Sequence, residues 1–261
     1  MDISLRGKRA LVGGASRGIG KAAAIELAAL GASVSCMART REALETVLTE
    51  LDTSLGQVHE ILIGDSNKPS LLAKVVEKSA QSSPFNIVIN NTGGPPDGPA
   101  HSATVEEFEA AFTQHVICSH SILQVVLPGM RSSGYGRIIN VISTSVKQPI
   151  PGLGVSNTIR SAMASWAKTL AGELGPDGIT VNNVLPGFTE TDRLDQIIES
   201  GTKRSGGTSE TTASAMRASV PLKRFGLPSE TASAIAFLAS PAAAYINGIN
   251  LPVDGGRTAS L

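Results

Sequence analysis

The residues best suited to chemistry lie in a few short stretches. LVGGASRGIG sets Gly14, Gly18 and Gly20 around Ser16 and Arg17. Glycines so spaced make a tight turn in which backbone N–H groups and a helix N-terminus face a pyrophosphate. CMARTRE then puts Ala38 and Arg39 after the second apolar run, where an NAD-selective site usually has an acidic residue for the ribose 2′-OH. Arg17 and Arg39 offer a 2′-phosphate charge-assisted hydrogen bonds, which favours NADP(H) over NAD(H). The plain alternatives are glycines that serve only a sharp turn, an Arg39 solvated at a helix cap and an Arg17 facing water. Further on, RIINVISTS ends an apolar run with the hydroxyls of Ser143 and Ser145, and SNTIR places Ser156 and Arg160 four apart, on one face of a helix.

Strands and helices must alternate to position these residues. Runs rich in Val and Ile (RALV, ASVSCM, VHEILIG, NIVIN, GRIINVI, GITVNNV, INLPV) are separated by helix-period segments at 18–30, 41–54, 68–82, 104–131 and 156–174, with two or three more helical stretches before the last strand. Alternation of this kind predicts a parallel sheet covered on both faces. Right-handed crossovers make it doubly wound, a three-layer α/β/α single domain over 1–261. Such sheets bind ligands at the C-terminal ends of their strands, where Gly14 and Ser143 fall.

Punctuation agrees: Gly31 ends the first helix, Pro69 opens another, Pro128 bends or ends the long one, and GPDG at 175–178 is a turn. ESGTKRSGGTSETTAS at 199–214 reads as loosely ordered, and its place after a strand's C-terminal end favours a substrate lid around 190–220 over a plain surface loop.

In this chain of 261 residues, basic and acidic side chains balance at 22 each, so charge points to neither nucleic acid nor an anionic membrane. Cys36 and Cys118, the only cysteines, lie in apolar segments with no CxxC or nearby His. That argues against a metal site or a disulfide framework and for a reducing, cytoplasmic home. MDISLRGKRALVGG has no apolar stretch of signal-peptide length, and no later run is expected to approach a membrane span.

GGASRGIG, GD at 64–65, NNTGG at 90–94, RIINVIS at 137–143, VNNVLPGFTETD at 181–192 and INGINLPVDGG at 246–256 resemble, in order and spacing, the short-chain dehydrogenase/reductase family. The similarity is greatest to the 3-oxoacyl-(acyl-carrier-protein) reductase type and covers essentially the whole chain. It implies a Rossmann fold, and hydride transfer from a nicotinamide to a carbonyl carbon while a general acid protonates the oxygen. It also implies that Asp65 holds the adenine amino group and that Asn90, Thr92 and Gly93 line the cofactor behind the fourth strand. Ile19 would pack near the nicotinamide, and Pro186, Gly187 and Thr191 would hold its ring and amide. Gly13 stands where the family usually has Thr, which costs a side-chain hydrogen bond and leaves the phosphate cradle.

The family's proton machinery is Asn, Ser, Tyr and Lys, of which only the serine, Ser143, survives; its hydroxyl is placed to polarise a carbonyl oxygen. Ser156 and Arg160 stand for Tyr and Lys, and His115 for Asn. The only tyrosines, Tyr135 and Tyr245, are followed four residues on by Ile139 and Ile249, so no other register restores a Tyr-x-x-x-Lys. A serine hydroxyl is a far weaker acid than a phenol of pKa about 10, and shorter by a ring. Arg160 keeps the positive charge and the donors for the nicotinamide ribose but does not release a proton. The substitute acids are His115 acting through a water chain, Lys147 swinging inward, or a water activated by Ser143 and Arg160. The plain alternatives are a packing histidine, a surface lysine and, for Ser156, a helix N-cap.

Two functions follow. One is an NADP(H)-dependent oxidoreductase that reduces the carbonyl of a 3-oxoacyl thioester or another ketone to an alcohol, with Ser143 polarising the oxygen and Arg160 holding the ribose. The other is a degenerate relative that binds the dinucleotide as a sensor or as an inactive oligomer partner. The resemblance also implies a homotetramer or homodimer built on the long helices at 104–131 and 154–174, where SAMASWAKTLAGEL presents a small apolar face.

Overall fold

Apolar runs that do not alternate with polar residues belong inside a sheet covered on both faces. In the computed structural model, which describes residues 1–260, seven such runs become β1 (Arg9–Gly13), β2 (Ser33–Ala38), β3 (Glu60–Ile63), β4 (Ile87–Asn90), β5 (Gly136–Val141), β6 (Ile179–Pro186) and β7 (Asn250–Val253). All pairings are parallel, in the order β3-β2-β1-β4-β5-β6-β7. All six residues of β5 are buried.

One face of the sheet packs on α1 (Gly18–Ala29), α2 (Arg41–Leu48) and α9 (Pro228–Ala239) through Ala24, Leu27, Leu44 and Ile235. The other packs on α3 (Pro69–Ala80), α5 (Cys118–Ser133) and α6 (Gly154–Leu174) through Leu72, Val76, Ile122, Val126 and Leu170. The strand order reverses between β1 and β4, which opens a crevice at their carboxyl ends. The doubly wound, three-layer single domain expected from the alternation is the fold observed.

Side chains also tie the strands together. Asn90, Asn140, Asn183 and Asn250 are register partners on β4 to β7, and each amide donates to the next carbonyl at 2.8 Å. Asn140 is fully buried. Each link satisfies a polar group that would otherwise cost about 1–3 kcal/mol inside the sheet.

Three sequence expectations are corrected. The stretch at 199–214 is not loose: α7 (Asp192–Ser205) and α8 (Ser209–Ala218) flank a short turn. Gly206, at φ +71°, ends α7, and a Thr208–Thr211 capping box starts α8. The pair is held by a small cluster of Leu194, Ala213 and Phe225 with Phe188, Ile198 and Met216.

Of the two outcomes expected at Pro128, a bend or an end, the end does not occur, since α5 runs on to Ser133. That helix follows α4 (Val105–Phe112) through a π-turn at Thr113–Ile117, giving one 29-residue helix long and apolar enough to cross a membrane. Its apolar residues Ile122, Leu123, Val126 and Met130 are buried against the sheet and α3. Finally, Ser156 is no N-cap: α6 begins at Gly154, Leu153 holds the cap position, and Ser156 lies within the first turn.

Candidate active site

The crevice widens into a cleft of about 1170 Å³ that runs from the glycine loop to the ends of β5 and β6. At one end the turn after β1 needs left-handed backbone at Gly14 and Gly18, with φ of +60° and +56°. A side chain at Gly14 would put Cβ 2.7 Å from the Asn91 amide nitrogen, and one at Gly20 would put it 2.2 Å from the Gly14 carbonyl. Gly20 therefore serves close packing of the loop against α1 and does not line the cleft. At Gly13 an added Cβ would stand 3.0 Å from the Asn91 carbonyl oxygen, so a threonine there would need the Asn91 backbone to give by a few tenths of an ångström. The Asn91 amide donates to the Gly13 carbonyl at 3.1 Å, tying the loop to β4. No side chain caps α1, which leaves first-turn N–H groups without a side-chain acceptor beside the cleft-lining Gly18 and Ile19.

Along the cleft lie Ser16, Arg17 and Ile19, then Arg39 and Asp65, then Asn90, Thr92 and Gly93, and finally Pro186, Gly187 and Thr191. Arg39 is exposed and has no hydrogen-bond or ion-pair partner among the described residues. Arg17 lines the cleft too, but its guanidinium is ion-paired with Asp192 at the start of α7.

The other end gathers Ser143, Ser156 and Arg160. Ser143, just past β5, is half-buried, and its hydroxyl accepts the Ser145 N–H at 3.1 Å, which leaves the O–H to donate into the cleft. Ser156 is 8% exposed and has no hydrogen-bond partner among the described residues. Arg160, 7% exposed, donates to the Val141 carbonyl at 3.1 Å. Burial, then repulsion from Arg193, pulls its pKa down to about 10, so it stays charged at neutral pH.

His115 is not brought to the cleft. The π-turn buries it, and Thr92 Oγ1 is 2.6 Å from its Nδ1. Its buried Nε2 has no partner among the described residues. Burial first, and the Arg160 charge second, push its pKa down to about 2, so the ring is neutral. Lys147 sits on an exposed turn outside the lining. Neither tyrosine lines it: Tyr135 donates to the Ala239 carbonyl at 2.6 Å, and Tyr245 is fully exposed.

Sequence reasoning missed several lining residues. Asn91, Gln114, Ile150, Leu153, Phe188, Arg193 and Arg257 all face the cleft. Arg193 directly follows the quoted VNNVLPGFTETD motif, the one signal that pointed to it; Arg257 comes from past the last strand, where nothing local marks it.

No cluster of three His, Cys, Asp or Glu suited to a metal ion occurs among the described residues, and both cysteines are buried free thiols, pushed up to about 12 by burial.

Comparison with known proteins agrees with this geometry. Residues 14–258 match the family model described as enoyl-(acyl carrier protein) reductase. The chain is 31% identical to the NADPH-dependent reductase BacG of Bacillus subtilis, over 97% of this chain and 99% of that one. It is 34% identical to the 3-oxoacyl-(acyl-carrier-protein) reductase FabG of Vibrio cholerae, over 97% and 98%. Its fold matches that of L-sorbose reductase from Gluconobacter frateurii, solved with NADPH and L-sorbose, with a TM-score of 0.92 and 30% identity over all of both chains. The chain belongs to the short-chain dehydrogenase/reductase family, near its 3-oxoacyl-(acyl-carrier-protein) reductase type.

Proposed function

We propose that the protein is an NADP(H)-dependent carbonyl reductase whose site is the cleft joining the glycine loop to Ser143 and Arg160. That continuity is the observation that carries the reading. The residues fit the dinucleotide: Gly14 and Gly18 leave backbone N–H groups bare for the pyrophosphate, and the unpartnered Arg39 suits a 2′-phosphate. Asp65 would take the adenine amino group, and Asn90, Thr92, Gly93, Ile19, Pro186, Gly187 and Thr191 the nicotinamide half.

When bound, the dihydronicotinamide supplies the hydride that the carbonyl carbon receives. The chain's own residues manage the oxygen. The Ser143 hydroxyl donates to it as the π electrons move onto it, and the fixed charge of Arg160, which also holds the ribose, lowers the cost of the developing oxyanion. The proton comes from water in the cleft, with hydroxide released to solvent, because His115 stays neutral and no phenol is present. α7 and α8 form the lid over the substrate end. Two copies or four assemble on the long helices, where Phe112 and Ile117 are exposed, and the protein works in the cytoplasm, in keeping with its buried free thiols.

The test is a fluorescence titration with NADPH followed by NADPH consumption on 3-oxoacyl thioesters, ketones and quinones. Turnover that falls about 100-fold in Ser143→Ala and persists in Ser156→Ala supports these roles. Tight binding with no turnover on any substrate would instead favour a dinucleotide-binding sensor or inactive subunit, a reading that none of the reductases named above supports.

A further inference from the structure

We infer that the substrate carries a carboxylate beside its reacting carbonyl and that Arg160 and Arg193 are its receptor. The inference rests on the reductase reading of the cleft. Arg160 is more than nine-tenths buried, and its one protein acceptor is the neutral Val141 carbonyl at 3.1 Å. No carboxylate pairs with it among the described residues. A guanidinium removed from water is costly until an anion neutralises it, and the ribose hydroxyls expected beside it carry no charge.

Arg193, in the first turn of α7, lines the same cleft and repels Arg160. Its Nη2 donates to Asp97 Oδ1 at 2.6 Å and to the Pro95 carbonyl at 3.2 Å, and its Nη1 to Gln196 Oε1 at 3.3 Å. Its Nε–H has no protein partner, and the guanidinium rests against Gly94, where an added Cβ would stand 3.3 Å from Nε. Asp97 pairs with Arg193 alone, so Arg160 has no anionic partner of its own. An anion between them relieves both the desolvation of Arg160 and the mutual repulsion.

Arg160 bonds the residue two before Ser143, so the anion falls next to the carbonyl that Ser143 polarises. That geometry selects a 2-oxo or 3-oxo acid; a thioester offers no charge at this point. Ile150, Leu153 and Ile197 add apolar lining to the cleft and take the rest of the molecule.

Calorimetric titration of the NADP⁺-saturated protein with pyruvate, acetoacetate and their methyl esters tests this. The acids are expected to bind at least about ten-fold more tightly than the esters, and Arg193→Gln should abolish that preference while leaving ester affinity unchanged. Equal affinity for acids and esters overturns the inference. So does an Arg193→Gln variant that weakens both alike, since that outcome makes Arg193 only a latch between α7 and Asp97. NADPH binding is followed separately by fluorescence. Its absence sinks the reductase reading, and the acid–ester comparison, run then on the unloaded protein, still decides whether the two arginines form an anion receptor.

Discussion

The Asp192 carboxylate at the start of α7 is ion-paired with the Arg17 guanidinium of the glycine loop, 175 positions earlier in the chain. Its neighbour Arg193 is paired with Asp97, in the segment that follows β4. Two consecutive residues thus fasten α7 to both of the segments that flank the crevice, and one of them occupies the Arg17 guanidinium.

Asp192→Asn should therefore tighten NADPH binding a few-fold, because Arg17 is released to the phosphates. Both partners of the pair are largely exposed, so stability should change by less than about 1 kcal/mol. Fluorescence titrations at low and high salt check this: the gain should shrink as salt screens the pair. An affinity that falls in the variant would show that the Arg17–Asp192 contact assists binding.

Arg39→Ala should weaken NADPH binding by about ten-fold or more and leave NADH binding unchanged, since the side chain has no structural partner to lose. Parallel titrations with the two dinucleotides give the ratio directly. Equal losses for both would move Arg39 away from the 2′-phosphate.

Ser156 faces the cleft from the first turn of α6 with its hydroxyl unpartnered, one helical turn before Arg160. The double variant Ser156→Tyr/Arg160→Lys restores an acidic phenol and an ammonium that lowers its pKa. Turnover should rise by about ten-fold or more over the parent, with a new pH dependence on the basic side. Each single variant should gain less, and a double variant slower than the parent would argue that the parent uses Ser156 itself.

His115→Asn should flatten the acid side of the stability profile. The ring is neutral when folded, with a pKa of about 2 set by burial and then by Arg160, whereas the unfolded chain binds a proton near the ordinary histidine value. The folded state is thus fully favoured above about pH 6.5 and loses up to about 1.4 kcal/mol per unit as pH falls below it. Denaturant melts at pH 7 and pH 5 should show the variant gaining about 2 kcal/mol relative to the parent across that interval. Parallel curves would place His115 in solvent.

Much of this was legible before folding. The glycine loop is recognisable because φ-permissive residues and strand-to-helix changes of period are local, whereas the amide ladder from Asn90 to Asn250 joins residues distant in the chain and had no local signal. The absence of any Tyr-x-x-x-Lys was equally legible, since a tyrosine count needs no coordinates. The stretch at 199–214 misled because its small polar residues carry little helix signal. What makes it helical is burial of Leu194 and Ala213 against Phe225, a contact made only in the folded chain.

The amino-acid sequence by itself determined the doubly wound fold, the glycine turn after β1 and the absence of a Tyr-x-x-x-Lys pair, because each depends on residue type and near spacing. Only the tertiary structure decided where α6 begins. Leu153 and Gly154 bridge to Gly98, with the Gly154 N–H donating to the Gly98 carbonyl at 2.8 Å, and this pairing draws Ser156 into the first turn and toward the cleft. It alone decided, too, that His115 is buried neutral in a π-turn and that Arg193 and Arg257 line the cleft. Those outcomes depend on burial and on the approach of charges distant in the chain, which no local pattern encodes.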